Sequence, residues 1–270
     1  MTLSMMETDW AGALVQWLGL PGTARPDPAP QAILICEHAS NRMTGAWAET
    51  DPELLASHAA SDPGALGLAI ALGAQLAQTG LTCELVHAPF SRLIYDLNRS
   101  PDRPDACPAK SEIHHVAMNQ SLRPSDRLER MEKLYLPFHN HVRARIARAL
   151  ALGERPFILT VHSFSPTWHG APRDVEFGII HDALPELARA ILAESEGLGL
   201  VTRLNAPYSA EDNVTHSLRL HALPYGLENA MLELRNDLIA TEVAQAAIAA
   251  KLMPVLCRAM ARVGEGICPA

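Results

Sequence analysis

The chain has 270 residues, of which 48% are hydrophobic and 19% charged, and this is the composition of an ordinary globular protein. Its net charge of -8 and the lack of Lys and Arg blocks argue against a nucleic-acid-binding surface. No uninterrupted apolar run reaches the roughly 18 residues of a membrane span, and the first residues lack the positively charged start of a secretory signal. The five cysteines are scattered without a CxxC pair, which is typical of reduced thiols in the cytoplasm.

The first buried strand is predicted at Ala32 to Ile35, four apolar residues without a polar interruption. Before it, residues 7 to 19 are predicted to form a short helix and residues 21 to 30, rich in proline, an irregular segment. The strand is followed by a polar cluster that contains Glu37, His38, Ser40, Asn41 and Arg42. Ligands of open α/β sheets bind beyond the carboxyl ends of strands, so chemistry is expected at this cluster.

A helix is predicted from Ala65 to Gln78, where small and apolar residues recur every three or four positions. A helical turn over residues 51 to 60, which carries His58, precedes it. The segment from Ser61 to Gly64 is typical of a helix start, and Asp62 within it is either an N-cap or a functional carboxylate.

A second strand is predicted at Thr82 to Ala88. Residues 100 to 124 contain four prolines and are predicted to form an extended loop over the sheet edge or over the mouth of a site. Residues 125 to 152 have apolar residues at helical spacing, and Pro137 is expected to kink or divide that helix. Two histidines of this helix, His139 and His141, are expected at the surface or in packing contacts.

The second half of the chain repeats the alternation of strand and helix. Strands are predicted at 157–161, 175–181, 200–204 and 229–235, and helices at 184–196 and 241–263. The first of these strands ends at His162 and Ser163. The pattern indicates an α/β fold in one domain, residues 1–270, with a mixed, mostly parallel central sheet and helices on both faces.

Two imidazoles at the ends of two apolar strands predict a metal site. Neutral imidazole is the commonest zinc ligand, so His38 and His162 are candidate ligands, although either could be a hydrogen-bonded structural histidine. Glu233 lies in the apolar run of the last strand, where an acidic residue is costly unless it is used or paired. It is therefore the candidate general base, and an ion pair with Arg235 or with another arginine is the competing explanation.

A substrate carboxylate would be recognised by Asn98 and Arg99, because the planar guanidinium matches a carboxylate in two hydrogen bonds. Arg92, Arg173 and Arg235 could assist. The alternative for Arg99 is an exposed surface position. The expected ligand is a small acid with one or two carboxylates.

These residues together resemble the N-formylglutamate amidohydrolase family, in order and over nearly the whole chain. The matching segments are C-E-H-A-S-N at 36 to 41, H-x-x-x-D at 58 to 62, S-R-L-I-Y-D-L-N-R at 91 to 99, H-S-F-S-P at 162 to 166, N-A-P-Y-S at 205 to 209 and E-L-R-N-D-L-I at 233 to 239. The resemblance implies a zinc-exopeptidase-like α/β fold and hydrolysis of an N-acyl amino acid, with N-formylglutamate giving formate and glutamate. It adds Ser40 and Asn205 to the candidate substrate-binding residues.

The wider superfamily is similar in the order of its functional residues, and the resemblance places zinc on His38 and His162, the substrate carboxylate on Asn98 and Arg99, and the base on Glu233. That superfamily has a glutamate ligand where this chain has Asn41, and an amide oxygen is a poor zinc ligand. The third ligand is therefore expected to be Asp62 or Glu37.

A second class of function remains open, a metal-free binding protein for a small carboxylate, and the Asn41 departure supports it. A nucleotide-binding fold is disfavoured because no GxGxxG or GxxxxGK[ST] follows a predicted strand. No nucleic-acid or membrane partner is expected, and the sequence indicates no oligomeric state.

Overall fold

A computed structural model of the chain describes residues 6–8, 14–18, 29–43, 47 and 51–264. Its main sheet has eight strands: β1 Met6–Thr8, β2 Leu14–Leu18, β3 Ala32–Cys36, β4 Cys83–His87, β5 Phe157–Phe164, β6 Phe177–Ile180, β7 Thr202–Leu204 and β8 Asn229–Arg235. The helices are α1 Pro52–Ala56, α2 Ala65–Gln78, α3 Pro124–Arg130, α4 Leu136–Ala151, α5 Glu186–Glu194, α6 His216–His221 and α7 Glu242–Val263.

The strands lie in the order β1-β2-β4-β3-β5-β8-β6-β7. Four of the seven pairings are parallel, namely β4 with β3, β3 with β5, β5 with β8, and β6 with β7. The other three, β1 with β2, β2 with β4, and β8 with β6, are antiparallel. The predicted mixed, mostly parallel sheet is confirmed. Because β3, β5 and β8 run parallel, their carboxyl ends lie at the same end of the sheet.

Helices cover both faces of the sheet, as predicted. In β3 the side chains alternate, so that Leu34 packs with α2, α5 and α7 on one face while Ile33 and Ile35 pack with α4 on the other. Phe138 and Val142 of α4 are fully buried in that second layer. Because β3 is buried on both faces, its sequence is a continuous apolar run.

The predicted helix over residues 7 to 19 is wrong. The described residues of this segment form β1 and β2, and β2 pairs antiparallel with β4, with Gln16 opposite Leu85. The free edge of β4 offers unpaired backbone groups, and pairing with such an edge overrides a weak local helical pattern. Residues 9–13 and 19–28, which include most of the predicted proline-rich segment, lie outside the described residues.

The helix predicted over residues 125 to 152 is divided, as expected from Pro137. A π-helical turn, Met131–Tyr135, separates α3 from α4, and Pro137 lies in the first turn of α4. Proline lacks the N–H that a continuous helix would use there, and its ring would press on the carbonyl four residues earlier. The break places Tyr135 against the histidines of α4 and α6.

Helix α2 has the predicted bounds, but its N-cap is Gly64 and not Asp62. Gly64 has φ +82°, a left-handed conformation that side chains other than glycine rarely adopt, and a Cβ there would clash with the carbonyl oxygen of Ile239. The side chain of Asp62 is consequently free of a capping role and points into the site.

By length and composition, α7 is the one helix among the described residues that could cross a membrane. It packs instead against α2 and α5, and its apolar face, which includes Leu252, Leu256 and Met260, is buried in the core. We therefore assign α7 as a core helix.

Candidate active site

Three strands and one helix start bring the candidate residues together. His38 follows β3, His162 lies within β5, and Glu233 lies in β8 directly opposite His162. The strand predicted to stop at residue 161 runs on to Phe164, because its last residues remain paired with β8. Asp62 reaches the same edge of the sheet from the turn before α2.

The two imidazoles and Asp62 form a compact, buried group. Asp62 Oδ2 lies 2.8 Å from His162 Nδ1 and 3.3 Å from His38 Nδ1. The two rings are 4.9 Å apart between centroids and tilted by 67°. One ligand atom from each of the three residues lies within 4.8 Å of the others, so a single ion could contact all three.

Each imidazole is also held from behind by a second carboxylate. His38 Nε2 donates to Asp96 Oδ1 at 2.7 Å, and His162 Nε2 lies 3.1 Å from Glu37 Oε2. This leaves both Nδ1 atoms directed at Asp62. Metal-binding histidines in proteins commonly carry such an outer carboxylate, which fixes the ring orientation and strengthens the ligand.

Two candidates for the third ligand are thereby placed elsewhere. Glu37 stands behind His162, and Asn41 is exposed and donates to the carbonyl of Leu55 at 2.9 Å. Of the three candidates, Asp62 is the one that lies beside the Nδ1 atoms of both imidazoles. Sequence reasoning missed Asp96 altogether, although it precedes the Asn98-Arg99 pair by only two residues.

The charges of this group stabilise one another. Burial opposes ionisation of Asp62, but the two imidazoles outweigh it and hold the pKa of Asp62 below its ordinary value. Burial likewise disfavours a charged His162, yet Glu37 and Asp62 hold the pKa of His162 well above its ordinary value. The pKa of Asp96 is well below its ordinary value, because Arg92 and His38 outweigh the effect of burial.

The donor set fits a divalent metal. Two imidazole nitrogens and one ionised carboxylate, all buried, are a ligand set of catalytic zinc sites, which keep a fourth position open. The outer carboxylates Asp96 and Glu37 suit the same purpose, because a cation bound at Nδ1 leaves the proton on Nε2 to face them.

Glu233 lies beside this group and lines the same cavity. Its side chain is 5% exposed, and Oε2 has no hydrogen-bond partner among the described residues. Burial raises the pKa of Glu233 to about 7, with the charge of Asp62 acting in the same direction and that of His162 against it. A carboxyl poised near neutral pH is suited to accept and return a proton.

The competing explanation for Glu233, an ion pair with Arg235 or with another arginine, is not found among the described residues. Arg235 lies at the end of β8 and pairs instead with Asp237 at 2.8 Å and Glu176 at 3.2 Å. On the other side of Glu233, Gly178 of β6 is its register partner, and a Cβ there would clash with the carbonyl oxygen of Ala206. Gly178 thus lets the segment after β7 approach the site closely.

A cavity of about 430 Å³ opens over these residues. Eight of its lining residues were singled out from the sequence, namely His38, Asp62, Arg92, Asn98, Arg99, His162, Arg173 and Glu233. The other nine were not proposed as site residues: His58, Ser111, Ser163, Phe164, Trp168, Pro207, Tyr208, Asp212 and Val214. The loop predicted to cover the mouth of a site supplies Ser111.

Three predicted substrate-binding residues do not line the cavity. Arg235 is held by its two carboxylates, as described above. Asn205 Oδ1 accepts from the backbone N–H of His181 at 3.1 Å, and Asn205 Nδ2 lies 3.1 Å from His181 Nε2. Ser40 Oγ accepts from the backbone N–H of Arg42 at 3.0 Å. Their positions give them structural contacts around the site.

The Asn98-Arg99 pair is also partly engaged. The Asn98 amide donates to the carbonyl of Val214 and accepts from the backbone N–H of Ser217 at 3.1 Å, so it clamps the segment before α6. Arg99 donates to Asp105 at 3.0 Å and to the carbonyl of Asn98 at 2.9 Å. Of the two, Arg99 has donors left for a ligand.

Arg92 is bound more tightly than Arg99. Its guanidinium donates to Asp96 at 2.6 Å and contacts Asp62 at 3.3 Å, and both carboxylates are buried. Arg92 therefore bridges Asp62 and Asp96, and it fixes their relative positions.

The rim of the cavity is formed by two short hairpins, 110–115 and 167–172. Glu112 on the first hairpin contacts His58 Nε2 at 3.3 Å and accepts from the backbone N–H of His169 at 2.9 Å. One carboxylate thus connects both hairpins with the segment after α1.

A mixed α/β sheet that carries a buried His-Asp-His group and a carboxyl of raised pKa at its edge defines a hydrolase-type site. The chain belongs to the N-formylglutamate amidohydrolase family, whose family model matches residues 31–240. The protein is therefore an amidohydrolase of this family.

Solved structures are similar over most of the chain. Gene product Atu2144 from Agrobacterium tumefaciens is 45% identical, with a TM-score of 0.83 over 87% of this chain and 92% of that protein. N-formylglutamate amidohydrolase from Ralstonia eutropha JMP134 is 18% identical, with a TM-score of 0.65 over 94% of this chain and 99% of that protein. At 18% identity the second likeness concerns the fold alone. The comparison with curated proteins finds no match.

Proposed function

We propose that this amidohydrolase is zinc-dependent and cleaves the N-acyl amide of an acidic amino acid, with N-formylglutamate as the reference substrate. The observation that carries the proposal is the buried group of His38, Asp62 and His162 with the unpartnered carboxyl of Glu233 beside it. Membership of the family supports the choice of substrate.

His38, His162 and Asp62 would hold the zinc ion, and Asp96 and Glu37 would orient the two imidazoles. When bound, zinc supplies a Lewis acid that polarises the acyl carbonyl and acidifies water. Glu233 takes a proton from the attacking water as its oxygen adds to the acyl carbon. The C–N bond then breaks, and Glu233 returns the proton to the departing amine.

The substrate carboxylate is proposed to bind Arg99. The present partner of Arg99 is Asp105, whose side chain is 40% exposed, and ion pairs of this kind contribute little net stability. A substrate carboxylate can therefore replace Asp105 at modest cost. Arg92 is proposed to keep its role between Asp62 and Asp96.

We place the enzyme in the cytoplasm. The four described cysteines, Cys36, Cys83, Cys107 and Cys257, are all free thiols, as is usual in a reducing compartment. The proposed ligand is a small molecule.

The proposal is tested by measuring formate release from N-formyl-L-glutamate together with the zinc content of the protein. We expect about one zinc per chain, loss of activity on chelation and recovery on adding zinc back. Full activity in the chelated protein would contradict the zinc dependence, and a zinc-loaded protein that releases no formate would contradict the substrate.

The alternative of a metal-free carboxylate-binding protein depended on Asn41. Asp62 offers a carboxylate beside the two imidazoles, and Asn41 is exposed and bound to the carbonyl of Leu55, which supports the metal-dependent enzyme over that alternative.

A further inference from the structure

Arg173 is the cavity-lining arginine that has no carboxylate partner among the described residues. Arg92 has two such partners and Arg99 has one. Arg173 Nη1 instead donates to the Tyr208 hydroxyl at 3.0 Å and approaches the carbonyl of Ser165 at 3.5 Å. An arginine that lines the same cavity as Asp62 and Glu233, and that has no carboxylate partner among the described residues, is available to an anionic ligand.

Three aromatic rings hold the guanidinium of Arg173 in place. Its central carbon lies 5.5 Å from the centroid of Phe164, 5.0 Å from Trp168 and 4.9 Å from Tyr208. Cation–π contacts stabilise a guanidinium without neutralising its charge. The rings also restrict its rotation, so less conformational freedom is lost when the guanidinium binds an anion.

Arg173 and Arg99 come from different segments of the chain. Arg99 belongs to the loop after β4, whereas Arg173 follows the hairpin after β5, and both line the same cavity. A molecule with two carboxylates needs two cations that are not already neutralised, and these two arginines are the ones that meet this condition most closely.

We propose that Arg173 determines specificity by binding the side-chain carboxylate of the N-acyl amino acid, while Arg99 binds its α-carboxylate. The inference rests on the proposed function and adds to it the residue that recognises the acidic side chain of the substrate. A neutral side chain in the same place would leave the guanidinium without its partner.

The test compares N-formyl-L-glutamate with N-formyl-L-glutamine, which has nearly the same shape but a neutral side chain. The Arg173→Met variant keeps much of the volume and loses the charge, and Arg173→Lys keeps the charge and loses the planar fork. We expect Arg173→Met to lower kcat/KM for formylglutamate about 10- to 100-fold, as for a lost charged hydrogen bond, and to leave formylglutamine within about threefold. For formylglutamate, the kcat/KM of Arg173→Lys should lie between that of the wild type and that of Arg173→Met.

Arg203→Met is the matched control, because Arg203 is exposed on β7, away from the cavity lining. It should leave the ratio of kcat/KM for the two substrates unchanged. If Arg173→Met left the ratio of kcat/KM for the two substrates unchanged, for example by an equal loss on both, the assignment would be overturned. Arg173 would then only shape the cavity.

Binding separates this inference from the proposed reaction. In the Glu233→Gln background, calorimetric titration should show formylglutamate binding at least about tenfold more weakly when Arg173 is also replaced by Met, with little change for formylglutamine. If replacing Arg173 weakens the binding of formylglutamate in this way but the wild type does not hydrolyse formylglutamate, the proposed function fails and the assignment of Arg173 stands. If the wild type does not bind formylglutamate, the assignment fails as well.

Discussion

The described residues include two clusters of largely buried histidines, and the clusters differ in their contacts with carboxylates. The first is the group of His38 and His162, each in contact with carboxylates on both ring nitrogens. The second consists of His139, His216 and His221 beside Tyr135, and among the described residues no carboxylate lies within ion-pair distance of any of its rings.

In the first cluster, burial disfavours a charged His162, but Glu37 and Asp62 hold the pKa of His162 well above its ordinary value. In the second cluster burial prevails: the pKa of His139 is well below its ordinary value, and that of His221 falls to about 3. His139 Nε2 donates to the carbonyl of Leu97 at 3.0 Å, and its Nδ1 lies 2.8 Å from His221 Nε2, as suits two neutral rings. Burial of imidazoles alone therefore makes packing groups, and adding carboxylates makes a site for a cation.

The largest effect is expected for Glu233→Gln, which removes the proton acceptor next to the first cluster. Formate release from N-formylglutamate should fall about 100- to 10,000-fold, while the zinc content stays unchanged. Glu228→Gln, one residue before the same strand, is the matched control and should retain full activity. Substantial activity in Glu233→Gln would remove Glu233 from the role of base.

The outer carboxylates provide the next test, because they are what the second cluster lacks. Asp96→Asn and Glu37→Gln should each weaken zinc binding about 10- to 100-fold, measured by competition with a chelator. His139→Asn changes the second cluster and should leave zinc affinity unchanged. If His139→Asn weakened zinc binding as much as Asp96→Asn, the two clusters would not be independent.

The second cluster should make the protein sensitive to acid. His221 has a pKa of about 3 in the folded chain and near 6.5 in the unfolded chain, so its contribution to stability is complete above pH 6.5 and is lost as the pH falls towards 3. At pH 5 the loss is about 2 kcal/mol in the free energy of unfolding. Denaturant titrations between pH 7 and pH 5 measure it.

In His221→Asn this part of the pH dependence should become shallower. His115→Asn, at an exposed position in the first rim hairpin, is the control and should keep the slope of the wild type. An identical slope in all three proteins would mean that His221 is not held neutral.

The smallest effect is expected for Tyr135→Phe, which removes the hydroxyl that lies 2.8 Å from His216 Nε2. The loss of one neutral hydrogen bond should lower the free energy of unfolding by about 1 kcal/mol and leave kcat/KM within about twofold. A large loss of activity in Tyr135→Phe would give the second cluster a part in catalysis.

Much of the first cluster could be predicted because its residues follow apolar strands. The runs that became β3, β5 and β8 are buried on both faces, so their polar residues stood out as His38, His162 and Glu233. Asp96 and Glu37 could not be given their roles, because an outer carboxylate is defined by the ring that it contacts across the fold.

The sequence also could not show which of the arginines line the cavity, because that depends on the three-dimensional fold. Period-two alternation put Arg235 on the same face as Glu233, but β8 ends at Arg235, and its guanidinium turns to Asp237 in the following 3₁₀ turn. The sequence equally could not show that β2 would pair with the edge of β4, since that pairing joins residues about 70 positions apart.

The left-handed conformation of Gly64 has a consequence for anyone who wishes to make this enzyme more heat-resistant. Replacing a glycine with alanine is a common stabilising change where the backbone allows it. Here a methyl group would meet the Ile239 carbonyl and shift the turn that carries Asp62. Thermostability engineering should therefore begin far from this residue, at positions whose backbone is not shared with the catalytic machinery.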